Sequence, residues 1–391
     1  MQKTLDKLTI GFVLDDSLDR NDGVQQYVLL LGSWLSKRGH DVHYITSTTT
    51  RNDLVNLHSI GKQLRVNFNK NKVGTPLPVA KVAIHKLFAN DSYDVLHVQT
   101  PHSPLFAHRI IKSAPNNTAV VGTFHIMPFS TVERLMIRAL GVALRQSIKR
   151  SNTIIAVSAP AAMLCRWAFR LPSVPVIPNA VDMTRFAPSS RASLSSTNKN
   201  VTMVYLGRLV PRKGCMELLK AINLLVHTYK RTDFTLQICG KGEQLHRLQE
   251  YVKTNNISEY VNFVGFVSEE DKVKRLQAAD IAVFPSLGGE SFGIVLLEAM
   301  AAGTETVIAG NNPGYSSVMK GLDDQLIDPQ NTPKFADLLQ KYITDATVRQ
   351  QTKRKQLELV KSFDISVVGS SIEQEYYKAI AKQRRKIDNK S

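Results

Sequence analysis

The sequence is poor in the residues that build small covalent or metal-stapled folds. Three cysteines, Cys165, Cys215 and Cys239, are scattered over 391 residues, with no Cys-x-x-Cys pair and no Cys/His cluster. That excludes a disulfide scaffold, argues against structural zinc and fits a reducing compartment. Aromatic residues make up only 7%. There is no RNP-like aromatic motif, no zinc-finger spacing and no basic-aromatic interleaving, so nucleic-acid binding lacks its usual contact residues. No apolar run approaches the roughly 18 residues that a membrane-crossing helix needs. Residues 8–14, LTIGFVL, follow Lys3 and Lys7 as a signal peptide would. The run is short, stops at Asp15-Asp16 and has no small-residue cleavage site, so it reads as a first buried strand. Acidic residues are the other shortage: 33 Asp and Glu stand against 50 Lys and Arg, a formal charge of +17.

What is present is ordinary for a globular chain, with 43% hydrophobic and 21% charged residues. At about 150 residues per domain, the length suggests two domains. The positive charge is uneven. The first 180 residues carry 21 basic and 10 acidic side chains, and the remaining 211 carry 29 and 23. Such a field attracts polyanions: nucleic acid, anionic lipid or phosphorylated ligands.

Short β-rich runs alternate with helical periodicity. Strands are expected at 8–14, 41–46, 94–98, 119–124 and 153–158, with helices at 24–38, near 104–113 and at 131–149. The second half repeats the pattern, with strands at 201–207, 234–240, 261–266, 281–286 and 306–310. Its helices are expected at 217–230, 243–255 and 273–279, and a basic helix at 366–386. The Ser-rich stretch 187–200 reads as a linker or surface loop. Repeated βαβ units imply an α/β chain of two Rossmann-like domains, 1–182 and 183–365. The helix from about 366 to 391 is expected to pack back on the first. Ligands of such sheets bind beyond the carboxyl ends of the strands, so the expected site is a cleft between the domains, lined by residues that follow strands.

Four segments in such positions carry chemistry. In PSLGGESFGIVLLEAMAAG (285–303), Gly288-Gly289 allow a tight turn, and the amides of Phe292, Gly293 and Ile294 open a helix, a setting suited to a diphosphate. Glu290 on the loop can accept from sugar hydroxyls, and Glu298, about two turns on, from a ribose diol. The bland alternative is a buried helix with two incidental carboxylates, which is costly in so apolar a segment. In GRLVPRKG (207–214), Arg208 and Lys213 can neutralise charge growing on a departing diphosphate; alone it would be a solvated basic loop. In NDGVQQYV (21–28), Gly23 lets a backbone amide approach phosphate and Gln25 can reach a polar acceptor. In GTFHIMPFS (122–130), His125 follows a strand end and can meet a sugar hydroxyl or an acceptor. A lone histidine is as readily a satisfied structural residue.

These segments together resemble the retaining glycosyltransferases of family four, which have the GT-B fold. The Glu-x7-Glu signature GGESFGIVLLEAMAAG is joined, in the expected order, by DGVQQYVLLLGSWLSKRGHDV, DVLHVQTPHSP, GTFH, VIPNAVDMTRF and GRLVPRKG, over about 360 residues. Within that family the chain most resembles the phosphatidylinositol α-mannosyltransferases. The resemblance implies a nucleotide-sugar donor, GDP-mannose or a UDP-sugar, held mainly by the second domain, with no tightly bound cofactor. Glu290 would hold the sugar, the amides of Phe292 to Ile294 the phosphate and Glu298 the ribose. Arg208 and Lys213 would face the diphosphate, Gly23 would approach it from the other domain, and His125 would sit near the reacting centre. The family retains anomeric configuration, with the leaving phosphate assisting deprotonation of the acceptor. There is no Asp-x-Asp metal motif, and no metal is expected in the site. Three features depart from the family pattern. Asp22-Gly23 stands for Gly-Gly, two residues (LV) separate Arg208 from PRKG, and Glu305 and NNPGYSSV (311–318) stand where Pro and then Gly-Gly…Glu are usual.

The helical stretch 130–151 places Arg134, Arg138, Arg145 and Lys149 on one side and Leu135, Leu140, Leu144 and Ile148 broadly on another. Such a helix can rest on anionic headgroups or simply be a domain helix with a solvated basic face. Lys62, Arg65, Lys70 and Lys72 form a second basic stretch. The expected protein is a cytoplasmic glycosyltransferase, peripheral on the inner face of the cell membrane, acting on a lipid or glycan acceptor and not on nucleic acid. A UDP-sugar transferase, a sugar-nucleotide epimerase or phosphorylase and a non-catalytic binder are the alternatives.

Overall fold

The computed structural model describes residues 7–20, 22–68, 71–187 and 200–389. Residues 188–199 of the expected linker and Lys70 of the second basic stretch lie outside these. The chain divides into two compact units. One holds the residues up to Ala180 together with those from Ile365 on, and the other holds Val181–Asp364.

Unit 1 is built on a six-stranded parallel sheet. Its strands are β1 (Thr9–Leu14), β2 (Asp41–Thr46) and β3 (Leu57–Ser59), then, after an antiparallel hairpin of β4 (Gln63–Phe68) and β5 (Asn71–Pro76), β6 (Val95–Gln99), β7 (Ala119–Phe124) and β8 (Thr153–Ala156). The order is β3-β2-β1-β6-β7-β8. These strands are near-continuous apolar runs because helices cover both faces. Ile10, Phe12 and Leu14 point into one core with Tyr27, Val28, Leu31 and Leu35 of the helix Gly23–Lys37. Val13, Leu96 and Val98 point into the other with Ile110 and Ile111 of the helix Ala107–Ser113.

The long C-terminal helix Ile365–Asp388 belongs to the first of these cores through Ile365, Val368, Ile372, Tyr376 and Ala379. Gly369 lets it approach closely, since a Cβ there would stand 2.7 Å from the Trp34 ring. Polar contacts seat it as well. The buried Glu373 accepts from His40 Nε2 at 2.7 Å and meets Arg38 Nη2 at 3.0 Å. The Leu8 amide donates to His40 Nδ1, so the imidazole proton lies on Nε2, facing Glu373.

Unit 2 repeats the plan with β9 (Val201–Leu206), β10 (Phe234–Cys239), β11 (Val261–Gly265), β12 (Ile281–Phe284), β13 (Thr306–Gly310) and β14 (Leu326–Ile327). All are parallel, in the order β11-β10-β9-β12-β13-β14. In both sheets the winding reverses beside the first strand, between β1 and β6 and between β9 and β12. Crevices form there at the carboxyl ends.

Several elements were not legible in the sequence. The three-residue β3 and two-residue β14 are too short for periodicity to register. The helices Lys81–Asn90, Ala159–Phe169, Thr332–Thr344 and Ala346–Lys361 also go unassigned by the sequence reading. The helix expected over 131–149 is two, Thr131–Ala143 and Arg145–Arg150, broken at Leu144 (φ −101°, ψ 19°). Ser130 caps the first by accepting from the Glu133 amide, and the Glu133 carboxylate accepts from the Phe129 amide. The expected apolar side is also corrected. Leu144 and Ile148 are buried and Leu140 is half-buried, but Leu135 is 58% exposed, and Ile137 and Gly141 face inward instead.

Candidate active site

In unit 2 the loops after β9 and β12 meet at the point where the winding reverses. They are stapled by backbone. Leu287 N donates to Arg212 O at 2.8 Å, and Ser286 Oγ lies 3.1 Å from the same oxygen. Gly214 (φ +70°) runs so close to the neighbouring loop that a Cβ would sit 1.8 Å from Pro285 O. Glu290 is drawn into this junction. Its Oε1 lies 2.7 Å from Arg212 Nη1 and 2.8 Å from Lys213 Nζ, and accepts from Ser286 Oγ at 2.8 Å. Burial on its own would raise the Glu290 pKa. Lys213 and Arg212 overcome that and hold it down at about 2. The same burial lowers the Lys213 pKa, against the opposing pull of Glu290. Glu290 is therefore a carboxylate at any working pH.

Gly293 (φ +125°) caps the helix Ile294–Ala301, whose first amides have no intrahelical acceptor. A side chain at Gly293 would strike the Tyr315 ring at 2.6 Å. Glu298 lies in the second turn of this buried helix, at 7% exposure. Burial raises its pKa, and Lys272 Nζ at 2.6 Å from Oε1 opposes this. Lys272 also reaches Glu269 Oε2 at 2.9 Å. Arg208 is exposed, and its carbonyl accepts from Tyr205 Oη at 3.1 Å.

The segment NNPGYSSV acquires a physical account here. Asn312 caps the helix Pro313–Val318 and donates through Nδ2 to Ser286 O at 3.0 Å. Gly314 backs directly onto the signature loop, where a Cβ would lie 2.0 Å from Glu290 O. Glu305 faces away from this loop and pairs with Arg349 at 2.8 Å.

In unit 1, His125 follows β7 and is 9% exposed. Its Nε2 lies 2.7 Å from Gln99 Oε1, and its ring stands edge-on to Tyr27 at 5.2 Å. Burial pushes its pKa down to about 3, so it acts as a neutral hydrogen-bonding group. Gln25 is buried, and its amide nitrogen donates to Ser17 O at 3.1 Å and Asp16 Oδ2 at 3.3 Å, bracing the loop after β1. Gly23 opens the first helix, after Asp22, which pairs with Arg20 at 3.3 Å.

The sequence reading passes over two groups that the fold brings in. Arg212 is one; its signal was a third cation inside GRLVPRKG. Asp15 is the other. It follows β1 beside Thr100, whose Oγ1 is 3.3 Å from Asp15 Oδ1, and burial raises its pKa.

Among the described residues, His43, His58 and Asp91 offer ligand atoms within 4.8 Å of one another, the spacing of a metal set. His43 Nδ1 and His58 Nε2 are 2.9 Å apart in rings inclined by 5° with centroids 5.2 Å apart. Those values place the rings end to end and nearly coplanar, each nitrogen aimed at the other. That is a hydrogen-bonded imidazole pair, not two lone pairs converging on an ion. His58 and Asp91 also line a cavity of about 650 Å³ with Lys62, Leu77, Lys86 and Leu87, at the β3 edge and away from the β1/β6 reversal.

The basic helices are partly occupied within unit 1. The Arg134 and Arg138 guanidinium groups lie 4.8 and 5.2 Å from the Trp167 ring centre, and Arg138 also donates to the carbonyls of Trp167 and Ala168. Arg145 and Lys149 are exposed. Between these cations Phe129, Val132, Leu135, Met136 and Val142 are all more than half exposed.

Two parallel six-stranded α/β units are the architecture of GT-B glycosyltransferases. Sucrose-phosphate synthase from Thermosynechococcus elongatus superposes with a TM-score of 0.74 at 20% identity, covering 96% of this chain and 100% of that one. A glycosyltransferase from Rickettsia africae gives 0.73 at 16%, covering 96% and 99%. The family model described as Glycosyltransferase Family 4 matches residues 21–185, and that described as Glycosyl transferases group 1 matches 187–359. The chain is 31% identical over 375 residues to the phosphatidyl-myo-inositol mannosyltransferase of Mycolicibacterium smegmatis, covering 94% of this chain and 93% of that protein. The corresponding Mycobacterium leprae protein is 29% identical over 94% and 96%. The chain belongs to glycosyltransferase family 4.

Proposed function

We propose that this glycosyltransferase moves mannose from GDP-mannose to a phosphatidylinositol-type lipid, with retention, at the inner face of the cell membrane. The observation that carries a donor site is the convergence of Arg212, Lys213 and Ser286 on Glu290, beside the N-terminus of the helix Ile294–Ala301. The sugar and the acceptor rest on the similarity to phosphatidyl-myo-inositol mannosyltransferases.

In this reading the amides of Phe292, Gly293 and Ile294 receive the diphosphate. Arg208 and Lys213 neutralise the charge that grows on it as the glycosidic bond breaks. Glu290 holds the sugar hydroxyls, Glu298 the ribose diol, and Gly23 gives the phosphate a close backbone approach. The acceptor is received in unit 1 by neutral His125, and Gln25, expected to reach it, braces the loop after β1 instead. The acceptor oxygen bonds to the anomeric carbon on the face that the phosphate leaves, and the departing phosphate oxygen takes the acceptor proton. Configuration is retained without an enzyme nucleophile, and the neutralising groups are side chains and helix amides with no metal among them. Exposed Val132, Leu135 and Met136, interleaved with Arg134 and Arg138, suit an anionic bilayer surface.

A second reading keeps the chemistry and changes the donor to a UDP-sugar, with another glycolipid or glycan as acceptor. It is favoured by Anabaena HepE in complex with UDP-glucose, which superposes with a TM-score of 0.72 at 18% identity over 95% of this chain. A panel of GDP-mannose, UDP-glucose, UDP-galactose and UDP-N-acetylglucosamine, with and without phosphatidylinositol vesicles, separates the two. Thermal stabilisation by GDP-mannose, with turnover only when the lipid is added, is expected. A selective response to a UDP-sugar would replace the first reading by the second. Glu290→Ala removes most transfer in either case.

A further inference from the structure

Oε1 of Glu290 is over-subscribed. Two cations and a hydroxyl fall on one oxygen, and one of those cations, Lys213, is the group that the donor reading assigns to the diphosphate. We propose that Arg212 is a positioning residue: it is the standing counter-ion of Glu290, and by holding that carboxylate it frees Lys213 for the donor's diphosphate. The inference rests on the donor-site reading given above.

The geometry supports this division of labour. Arg212 is anchored at its backbone, its carbonyl accepting from Leu287 N with Ser286 Oγ 3.1 Å away, so its guanidinium is presented to Glu290 by the same staple that joins the two loops. Lys213 sits one residue on, with a compact ammonium on a flexible stem that can turn from one anion to another. A planar guanidinium anchored at both ends cannot do so as readily. Charge arithmetic agrees. Arg212 offsets the single negative charge of Glu290, which leaves the charge of Lys213 over for an anion. Without Arg212, Glu290 claims the remaining buried cation.

The groups facing Glu290 are few. Arg212 and Lys213 come from the loop after β9, with Arg208 farther along it. Tyr205 comes from β9 and Ser286 from the glutamate's own loop. Tyr315 comes from the helix Pro313–Val318. Both tyrosines are held neutral by burial, so burial, the two cations and the Ser286 hydroxyl set the ionisation of Glu290.

The sign of the pH effect follows. In Arg212→Gln, ionised Glu290 sequesters Lys213, and protonating Glu290 releases it. The defect in nucleoside-diphosphate binding is therefore present wherever Glu290 is ionised. Turnover needs the same ionised carboxylate, and its acid limb shifts to higher pH than in the wild type, because one of the two cations that lower the Glu290 pKa is gone.

The test is calorimetric binding of GDP and UDP at about pH 8, with donor KM, kcat and the pH profile of kcat, for wild type, Arg212→Gln and Arg212→Lys. The expected result is about tenfold weaker binding in Arg212→Gln, with KM raised more than kcat is lowered. The acid limb of the kcat profile moves to higher pH, and most of the affinity is restored in Arg212→Lys. Wild-type affinity in Arg212→Gln overturns the inference and leaves the donor site standing. A loss unrecovered in Arg212→Lys, with the acid limb unmoved, overturns it in favour of a purely structural arginine. Absence of GDP and UDP binding in the wild type overturns the inference and the donor site together.

Discussion

At the residue scale, the site depends on close approach as much as on charge. Glu290 is charged because two cations outweigh its burial, and it is placed because Gly314 leaves room behind it. A methyl at Gly314 would lie 2.0 Å from Glu290 O and 3.0 Å from Phe292 N, both backbone atoms that cannot swing aside. Gly314→Ala therefore has to push the signature loop forward, displacing the carboxylate and the helix-opening amides together. The expected outcome is a loss of most transfer, with a stability cost of about 1–3 kcal/mol that leaves the fold intact. A transfer assay and a thermal melt on the same preparation check it. Wild-type turnover would mean that the loop position is not critical. In the sequence NNPGYSSV was only a departure from a family pattern, because a glycine that makes space for a loop twenty-four residues away leaves no local signature.

At the scale of elements, the strands were the most legible. Ten runs of apolar, β-branched residues between turn signals coincide with ten observed strands, because strands covered on both faces have no choice of composition. The helices were less legible. The stretch 131–150 has one continuous periodicity but breaks at Leu144, and its exposed face mixes Val132, Leu135 and Met136 with arginines. Periodicity ranks residues by spacing and does not report which neighbour covers them. Here Trp167 takes the arginine planes, while Leu135 is left outward. Neutralising Arg134, Arg138, Arg145 and Lys149 together should weaken binding to phosphatidylglycerol or phosphatidylinositol vesicles, with little effect on neutral phosphatidylcholine vesicles. Co-sedimentation at low and raised salt checks it, since each basic residue at such a surface contributes about 1 kcal/mol and is screened by salt. Unchanged sedimentation would make this an ordinary solvated helix face. Because Arg138 also holds the carbonyls of the neighbouring helix, glutamine is preferable to alanine there.

At the scale of the whole molecule, the excess of 50 basic over 33 acidic side chains gives a net charge suited to anionic partners. The interior of unit 1 adds a pH dependence of its own. Burial holds His97 and His125 at about 3 and His102 at about 4, below the ordinary 6.5. Each takes up a proton in the unfolded chain below about pH 6.5 but stays neutral in the folded unit until the pH is much lower. Stability is therefore lost as pH falls from about 6.5 towards 4, by up to about 1.4 kcal/mol per pH unit for each histidine. Glu290 adds to the loss only below its ordinary value of 4.5. The urea midpoint of unit 1, followed by Trp34 and Trp167 fluorescence, should fall between about pH 7 and about pH 5. A flat midpoint over that range would show that the three imidazoles are more accessible to protons than their burial implies.

The sequence by itself determined the α/β class, the alternation that builds two parallel sheets, and the segments that follow β7, β9 and β12. Apolar runs and glycine turns are local statements, and Glu290, Lys213 and His125 stood out as candidates because each follows a strand, as Glu298 did because it lies in the helix that the signature opens. Only the tertiary structure decided which partner each of them takes. Lys213 and Arg212 are adjacent in sequence, but their common carboxylate comes from seventy-seven residues away. His125 is neutralised by walls that no window contains, and Glu373 reaches His40 across more than three hundred residues. Burial and ion pairing are properties of what lies on the far side of a contact, and a linear pattern carries only the near side.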